Sequence, residues 1–158
     1  MWTMGKDGWT SSSPSNQWES SPRANETKAD FILLRLHEKL ELPGTLSDYH
    51  FAIQNGHDEL QKQIRQAPWV LNEIERLCWL DIRLIELYPA TITWEQEGKK
   101  EFFRVSAFYR LIDLYLKEGY LAEAMNVAEI AERFGQKGDV LERLREWAAL
   151  LEAENDAE

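Results

Sequence analysis

Hydrophobic positions along most of the chain recur at spacings of three and four residues, which is the period of a helix buried on one face. The pattern begins near Thr27, where Asp30 three residues later completes the signature of a capping box. It predicts a first helix that opens at this box and ends before Pro43, since proline cannot continue a helix.

The next two segments are also predicted to be helical, but they differ in apolar content. The second helix is expected to start after Ser47 and to end before Pro68, either continuous or broken at Asn55-Gly56. The third covers residues 69–88, where 13 of 20 positions are apolar. That is too many for a helix with one wet side, so it is predicted to be the central helix of the fold.

Residues 108–135 hold two helical patterns separated by Gly119. The second pattern has alanines at 124, 128 and 131, where a core usually has larger side chains. Alanines on one helix let the two axes approach closely while large side chains on the other fill the gaps. The facing residues predicted on the first helix are Phe108, Leu111, Ile112 and Tyr115.

Two other segments complete the predicted architecture. Residues 90–103 are expected either to wrap as a loop or to form a small hairpin that turns at Glu97-Gly98. A last helix is expected over 139–153, with Asp139 as its cap, and the acidic end of the chain is expected to fray. The apolar stripe predicted for this helix is Leu141, Leu144, Trp147, Ala148 and Leu151.

The order of residue types in the helix pair resembles a tetratricopeptide repeat, a helix-turn-helix unit of about 34 residues. The match runs from Val105 to Gln136 and uses Phe108, Leu111, Tyr115, Gly119, Ala124 and Ala131. Ile112 and Ala128 depart from the family pattern, Gly135 closes the unit instead of a proline, and a shift of 34 residues reveals no second copy. The resemblance implies an all-α fold of helical hairpins, or a repeat-like bundle, with residues 139–153 as a C-terminal capping helix.

The resemblance also implies a binding surface on the outer side of the first helix of the unit. Mapped onto this sequence, the implied partner-binding residues are Ser106, Tyr109, Asp113, Leu116 and Lys117. An aspartate where the family often has asparagine disfavours a peptide carboxylate, so a neutral or basic protein segment is the expected partner. The alternative is a solvated face with an Asp113 to Lys117 pair.

Arg76, Trp79 and Arg83 share one stripe of the third helix. A tryptophan flanked by arginines has the composition of a protein-interface hot spot, and these three residues are therefore further partner-binding candidates. Alternatively, the tryptophan is covered and an arginine stacks on it. Asp81 lies on the opposite, apolar stripe, where a buried carboxylate would need a partner such as Arg104 or Arg110.

Residues 1–27 form a different kind of segment. They contain two prolines and no Leu, Ile or Val, and six serines fall between Ser11 and Ser21. Such a composition cannot offset the entropy of ordering, so a disordered tail is predicted, followed by a single all-α domain over 28–154. The tail contains Trp2, Trp9 and Trp18, which are either part of an uninformative leader or aromatic anchors for a partner.

Charge and cysteine content narrow the possible partners. A formal net charge of -10 disfavours nucleic acids and anionic membranes, whose binding depends on Lys and Arg. The only cysteine, Cys78, allows neither an internal disulfide nor a thiolate metal cage. With no signal-peptide core and no apolar run of spanning length, we expect a cytoplasmic protein.

No motif for nucleotide binding, nucleophilic catalysis or metal ligation is present, so no enzyme activity and no cofactor are expected. The favoured hypothesis is a non-catalytic adaptor that binds a protein segment. One alternative is a helical-bundle metal protein or enzyme that uses Asp81, His50 and His57, although surface histidines are the default expectation. Another is a homodimer with the apolar third helix as its interface.

Overall fold

The computed structural model describes residues 2–3, 10–11 and 27–157. These residues form six α-helices, which confirms the predicted all-α class. None of the helices described there has the length and the apolar run needed to cross a membrane. The helices are α1 (Lys28–Glu41), α2 (Leu46–Gln61), α3 (Val70–Leu87), α4 (Ser106–Glu118), α5 (Leu121–Arg133) and α6 (Asp139–Ala157).

Two small antiparallel sheets and one 3-10 turn accompany the helices. Strands β1 (Trp2–Thr3) and β2 (Thr10–Ser11) form one pair, and β3 (Thr93–Gln96) and β4 (Lys99–Phe102) form the other. The 3-10 turn covers Pro89–Ile92. Apart from β1, β2 and Thr27, the predicted tail over 1–27, including Trp9 and Trp18, lies outside the described residues.

Residue contacts divide the chain into two compact units, Met1–Ile74 and Glu75–Glu158. The dividing line falls inside α3, so one helix contributes to both units. The single domain predicted over 28–154 stays a prediction. Each unit is described below by itself.

In the first unit, α1 and α2 pack against each other as a helical hairpin. Both helices open with a capping box: Thr27 with Asp30, as predicted, and Thr45 with Asp48. The second box starts α2 at Leu46, slightly earlier than the sequence pattern suggested. Hydrogen bonds from the Thr45 backbone to the carboxylate lower the pKa of Asp48, which is therefore ionised at the positive end of the helix.

Helix α2 continues through Asn55-Gly56 without the interruption that the sequence suggested. The glycine is there for space: a Cβ at residue 56 would lie 2.6 Å from Cδ2 of Leu36 on α1. It thus allows close contact between the two helices instead of ending one of them.

The buried stripe of α2 contains histidines as well as aliphatic residues. His50, Ile53, His57 and Leu60 follow one another at helical spacing, and all four are buried. The expectation that His50 and His57 lie on the surface is therefore wrong. Their register with Ile53 and Leu60 decides their burial.

In the second unit, residues 93–102 form the hairpin, which was one of the two predicted alternatives. Gln96 pairs with Lys99, so the turn consists of Glu97 and Gly98, with φ values of 52° and 77°. Positive φ at both positions is what a two-residue hairpin turn requires.

The predicted interlock of α4 and α5 is present, with one correction. Ala124 and Ala131 are completely buried, as are Phe108 and Leu111 on α4, and Gly119 ends α4 with a φ of 83°. Ala128 does not belong to this seam. It is half-buried and lines a groove towards α6, while Val127 and Ile130 are the other buried residues of α5.

Helix α6 packs on α5 with only part of its predicted stripe. Leu141 and Leu144 are buried, whereas Trp147 and Leu151 are 46% and 44% exposed. Asp139 is the first helical residue and not the cap, because the Glu142 N–H donates to the carbonyl oxygen of Gly138. The helix continues to Ala157. The acidic end is therefore helical, whereas the sequence predicted that it would fray.

Candidate functional site

A hydrogen-bonded cluster joins α3 to α4 through the hydroxyl of Tyr115. This hydroxyl donates to Oε1 of Glu75 at 2.7 Å and accepts from Nε1 of Trp79 at 2.8 Å. Burial raises the pKa of Tyr115 to about 12, and the bond to Glu75 contributes to the rise. A phenol held neutral between two fixed partners does not serve as a base near neutral pH, so the cluster is best understood as a structural connection.

The arginine stripe of α3 lies beside this cluster. The guanidinium carbon of Arg83 is 5.0 Å from the ring centroid of Trp79, and Nη1 of Arg83 is 2.6 Å from Oε1 of Glu86. This is the cation–π contact that the sequence offered as the alternative for this stripe, in which an arginine stacks on the tryptophan. Arg76 and Arg83 are exposed and Trp79 is half-buried. A partner-binding role for the three residues stays a prediction.

The outer face of α4 combines one anchored residue, Tyr109, with an exposed polar surface near the C-terminus of the helix. The Tyr109 hydroxyl donates to the carbonyl oxygen of Lys137 at 2.6 Å and accepts from the Lys137 N–H at 3.0 Å. The guanidinium carbon of Arg104 lies 4.3 Å from the Tyr109 ring centroid. Tyr109 therefore holds the loop between α5 and α6 in place through both backbone groups of Lys137.

The other predicted residues of this face differ in accessibility. Asp113 and Lys117 are exposed and form an ion pair at 2.8 Å. Leu116 is half-buried, and Ser106 is half-buried with its hydroxyl oxygen inaccessible to solvent. The surface open to a partner is thus the last two turns of α4.

Gln136 is a structural residue that the sequence interpretation did not single out. Its side chain is buried, and Oε1 accepts from the Val105 N–H at 2.9 Å. Nε2 donates to the carbonyl oxygens of Phe103 and Phe134 at 2.8 and 2.9 Å. No local pattern indicates such a role, because a glutamine in a loop ordinarily faces water.

A groove of about 240 Å³ runs between α5 and α6. Its rim is acidic, with Glu129, Glu132 and Glu152, and Arg145 is the one basic residue among those that line it. Nη2 of Arg145 lies 3.0 Å from Oε1 of Glu132. The rest of the lining is apolar, and three of its six residues are alanines. These six residues are Met125, Ala128, Leu141, Leu144, Ala148 and Ala149.

The residues considered for a metal site are buried. His50 and His57 are buried on α2 of the first unit, and Asp81 is completely buried on α3 in the second. Within the described part of the chain, no group of three or more His, Cys, Asp or Glu side chains is placed to hold a metal ion. The predicted ion pair of Asp81 with Arg104 or Arg110 stays a prediction.

A dimer interface on α3 stays a prediction, and five apolar residues of this helix are buried within the chain. They are Ile74, Leu77, Cys78, Ile82 and Ile85.

Comparison of the chain with family models, with curated proteins and with solved structures found no match.

Proposed function

We propose that the chain is a non-catalytic interaction module that captures a neutral or basic protein segment in the cytoplasm. The proposal keeps the resemblance of residues 105–136 to a tetratricopeptide repeat, which the α4–α5 hairpin supports by its buried alanines and its glycine turn. In that interpretation α6 is the helix that caps the unit.

The observation that carries the proposal is the groove between α5 and α6. It is concave, its floor is apolar, and its rim has three glutamates against one arginine. Short side chains such as Ala128 and Ala148 leave room for the side chains of a ligand. An amphipathic segment with small apolar residues on one side and Lys or Arg at its edges fits such a surface.

The outer face of α4 is the surface that the family resemblance implies, and it is a second place where the same ligand could bind. Its accessible charged residues, Asp113 and Lys117, already pair with each other. The groove offers more uncompensated negative charge, so we assign it the larger share of the binding energy for a basic segment.

Fluorescence anisotropy with a labelled amphipathic peptide of Ala, Leu and Lys tests the proposal. We expect the double variant Glu129→Lys/Glu152→Lys to weaken binding by about tenfold or more, because two attractive contacts become repulsive. A peptide with Glu in place of Lys should not bind the unaltered chain.

The matched control is Glu97→Lys on the exposed hairpin turn, and Asp113→Lys tests the α4 face. Glu97→Lys changes the charge in the same direction, far along the chain from the groove residues, and should have little effect. A loss confined to Asp113→Lys would transfer the site to the α4 face. Equal binding by all variants, or no binding of the basic peptide by the unaltered chain, would refute the proposal.

A further inference from the structure

Helix α6 has an exposed apolar stripe beside the residues that line the groove. Val140, Trp147, Leu150 and Leu151 are 42%, 46%, 63% and 44% exposed. At 100° per residue, Val140, Trp147 and Leu151 lie within about 20° of one line along the helix. Of the groove residues, Leu144 and Ala148 lie about 40° and 80° around the helix from that line, and Leu141 and Glu152 lie about 100° to 120° from it.

The C-terminal part of α6 is exposed to solvent and extends past Glu152, the last of its residues that line the groove. Every residue from 149 to 157 is exposed, although the helix continues to Ala157. Unpacked helical turns of this length have little stability of their own, since most helical stability in proteins comes from packing. Contact between Leu150, Leu151 and a second surface would supply that packing.

The charges on this face indicate what the second surface is. Arg143 lies one turn before Trp147 and Glu154 lies two turns after it, both within about 60° of the apolar line. Both are exposed. A face that is positive on one side of its apolar centre and negative on the other is complementary to itself when two copies run in opposite directions. A parallel pair would instead place like charges opposite each other.

We propose that α6 binds α6 of a second copy of this chain in an antiparallel pair that crosses at Trp147. The contact buries Val140, Leu150 and Leu151 and brings each Glu154 carboxylate near the partner's Arg143. It is isologous, as closed dimers usually are, because the same surface is used on both copies. The groove between α5 and α6 is centred on a neighbouring side of the helix, and the dimer contact uses none of the residues that line it, so the proposal does not depend on the proposed function.

Sedimentation of the full chain from about 1 to 100 µM, at physiological salt, is the first test. We expect a dimer for the unaltered chain. Arg143→Glu should raise the dissociation constant about tenfold or more, because the exchange creates two like-charge contacts per dimer. The double variant Arg143→Glu/Glu154→Arg should restore the dimer. The matched control is Arg65→Glu, an exposed arginine of the first unit.

A cysteine at the crossing point provides a second test. In a Cys78→Ala background, Trp147→Cys should form an intermolecular disulfide on mild oxidation, because a residue at the two-fold axis meets its own copy. Glu146→Cys, which lies on another side of the helix, should form much less. A monomeric unaltered chain, or a dimer that is indifferent to both charge reversal and its compensation, would overturn the proposal.

Discussion

Buried and half-buried polar side chains connect residues of the second unit that are far apart in sequence. The hydroxyl of Tyr115 reaches Glu75 and Trp79, 40 and 36 residues away. Tyr109 reaches Lys137 across 28 residues, and Gln136 reaches Val105 across 31. Such bonds join α4 to α3 and to the loop after α5, so we expect their loss to destabilise the fold rather than a local turn.

Removing the side chain of Gln136 should be costly because it leaves the Val105 N–H and two carbonyl oxygens without their partner. We expect Gln136→Ala to lower the free energy of unfolding by about 2 to 4 kcal/mol, measured by urea denaturation. In the Gln136→Glu variant the side chain can still accept from the Val105 N–H but cannot donate to both carbonyl oxygens. This variant should therefore be no more stable than the unaltered chain. Lys137→Ala is the control, and an equally small effect of all three changes would contradict this role.

Tyr115 should give the chain a distinctive alkaline titration. Its pKa is raised from 10.0 to about 12 in the folded chain, so the folded state holds the proton more tightly than the unfolded state does. The resulting stabilisation is complete below pH 10 and is lost as the pH rises towards about 12.

Ultraviolet titration of tyrosinate should therefore show a step near pH 12, and Tyr115→Phe should remove that step. The variant should also lose stability at neutral pH, since Glu75 and Trp79 lose their shared partner. Ionisation of Tyr115 near pH 10 in the folded chain would show that the hydroxyl is not held as described.

At the scale of elements, alanines of α5 have two different environments. Ala124 and Ala131 are completely buried at the seam with α4, whereas Ala128 lies a turn away at the edge of an open groove. Identical residue types at helical spacing therefore make separate contributions. The first two set the distance between helices, and the third borders the open groove.

Ala124→Leu should overpack the α4–α5 seam and lower stability by about 1 to 3 kcal/mol. Ala128→Leu should change stability much less, because the added atoms extend into the groove. Ala122→Leu, at an exposed position of the same helix, controls for helix propensity. Thermal unfolding of the three variants tests the distinction, and equal melting temperatures for Ala124→Leu and Ala122→Leu would contradict the close seam.

At the scale of the whole molecule, local signals account for most of what the sequence predicted correctly. Capping at Thr27, the extent of α3 and the turn at Gly119 depend on residues within a few positions of one another. These signals operate before any tertiary contact forms, so a single sequence reveals them.

The features that were missed depend on how elements pack. The burial of His50 and His57, the position of Ala128, and the exposure of Trp147 follow from which side of a helix meets its neighbour. Periodicity identifies a stripe but not how wide the covering surface will be. The outer face of α4 was placed by resemblance alone, and the structure adds the anchoring of Tyr109, which no spacing rule contains.

The turn of the β3–β4 hairpin has a practical consequence for studying this chain. Glu97 and Gly98 are exposed, and a Cβ added at Gly98 would meet nothing within 4 Å. A short epitope or fluorophore-bearing insert between them would project from the tip of a two-stranded ribbon, at the kind of site where insertions are best tolerated. Such a tag would report on binding or assembly while both the α5–α6 groove and the exposed stripe of α6 keep their native sequence.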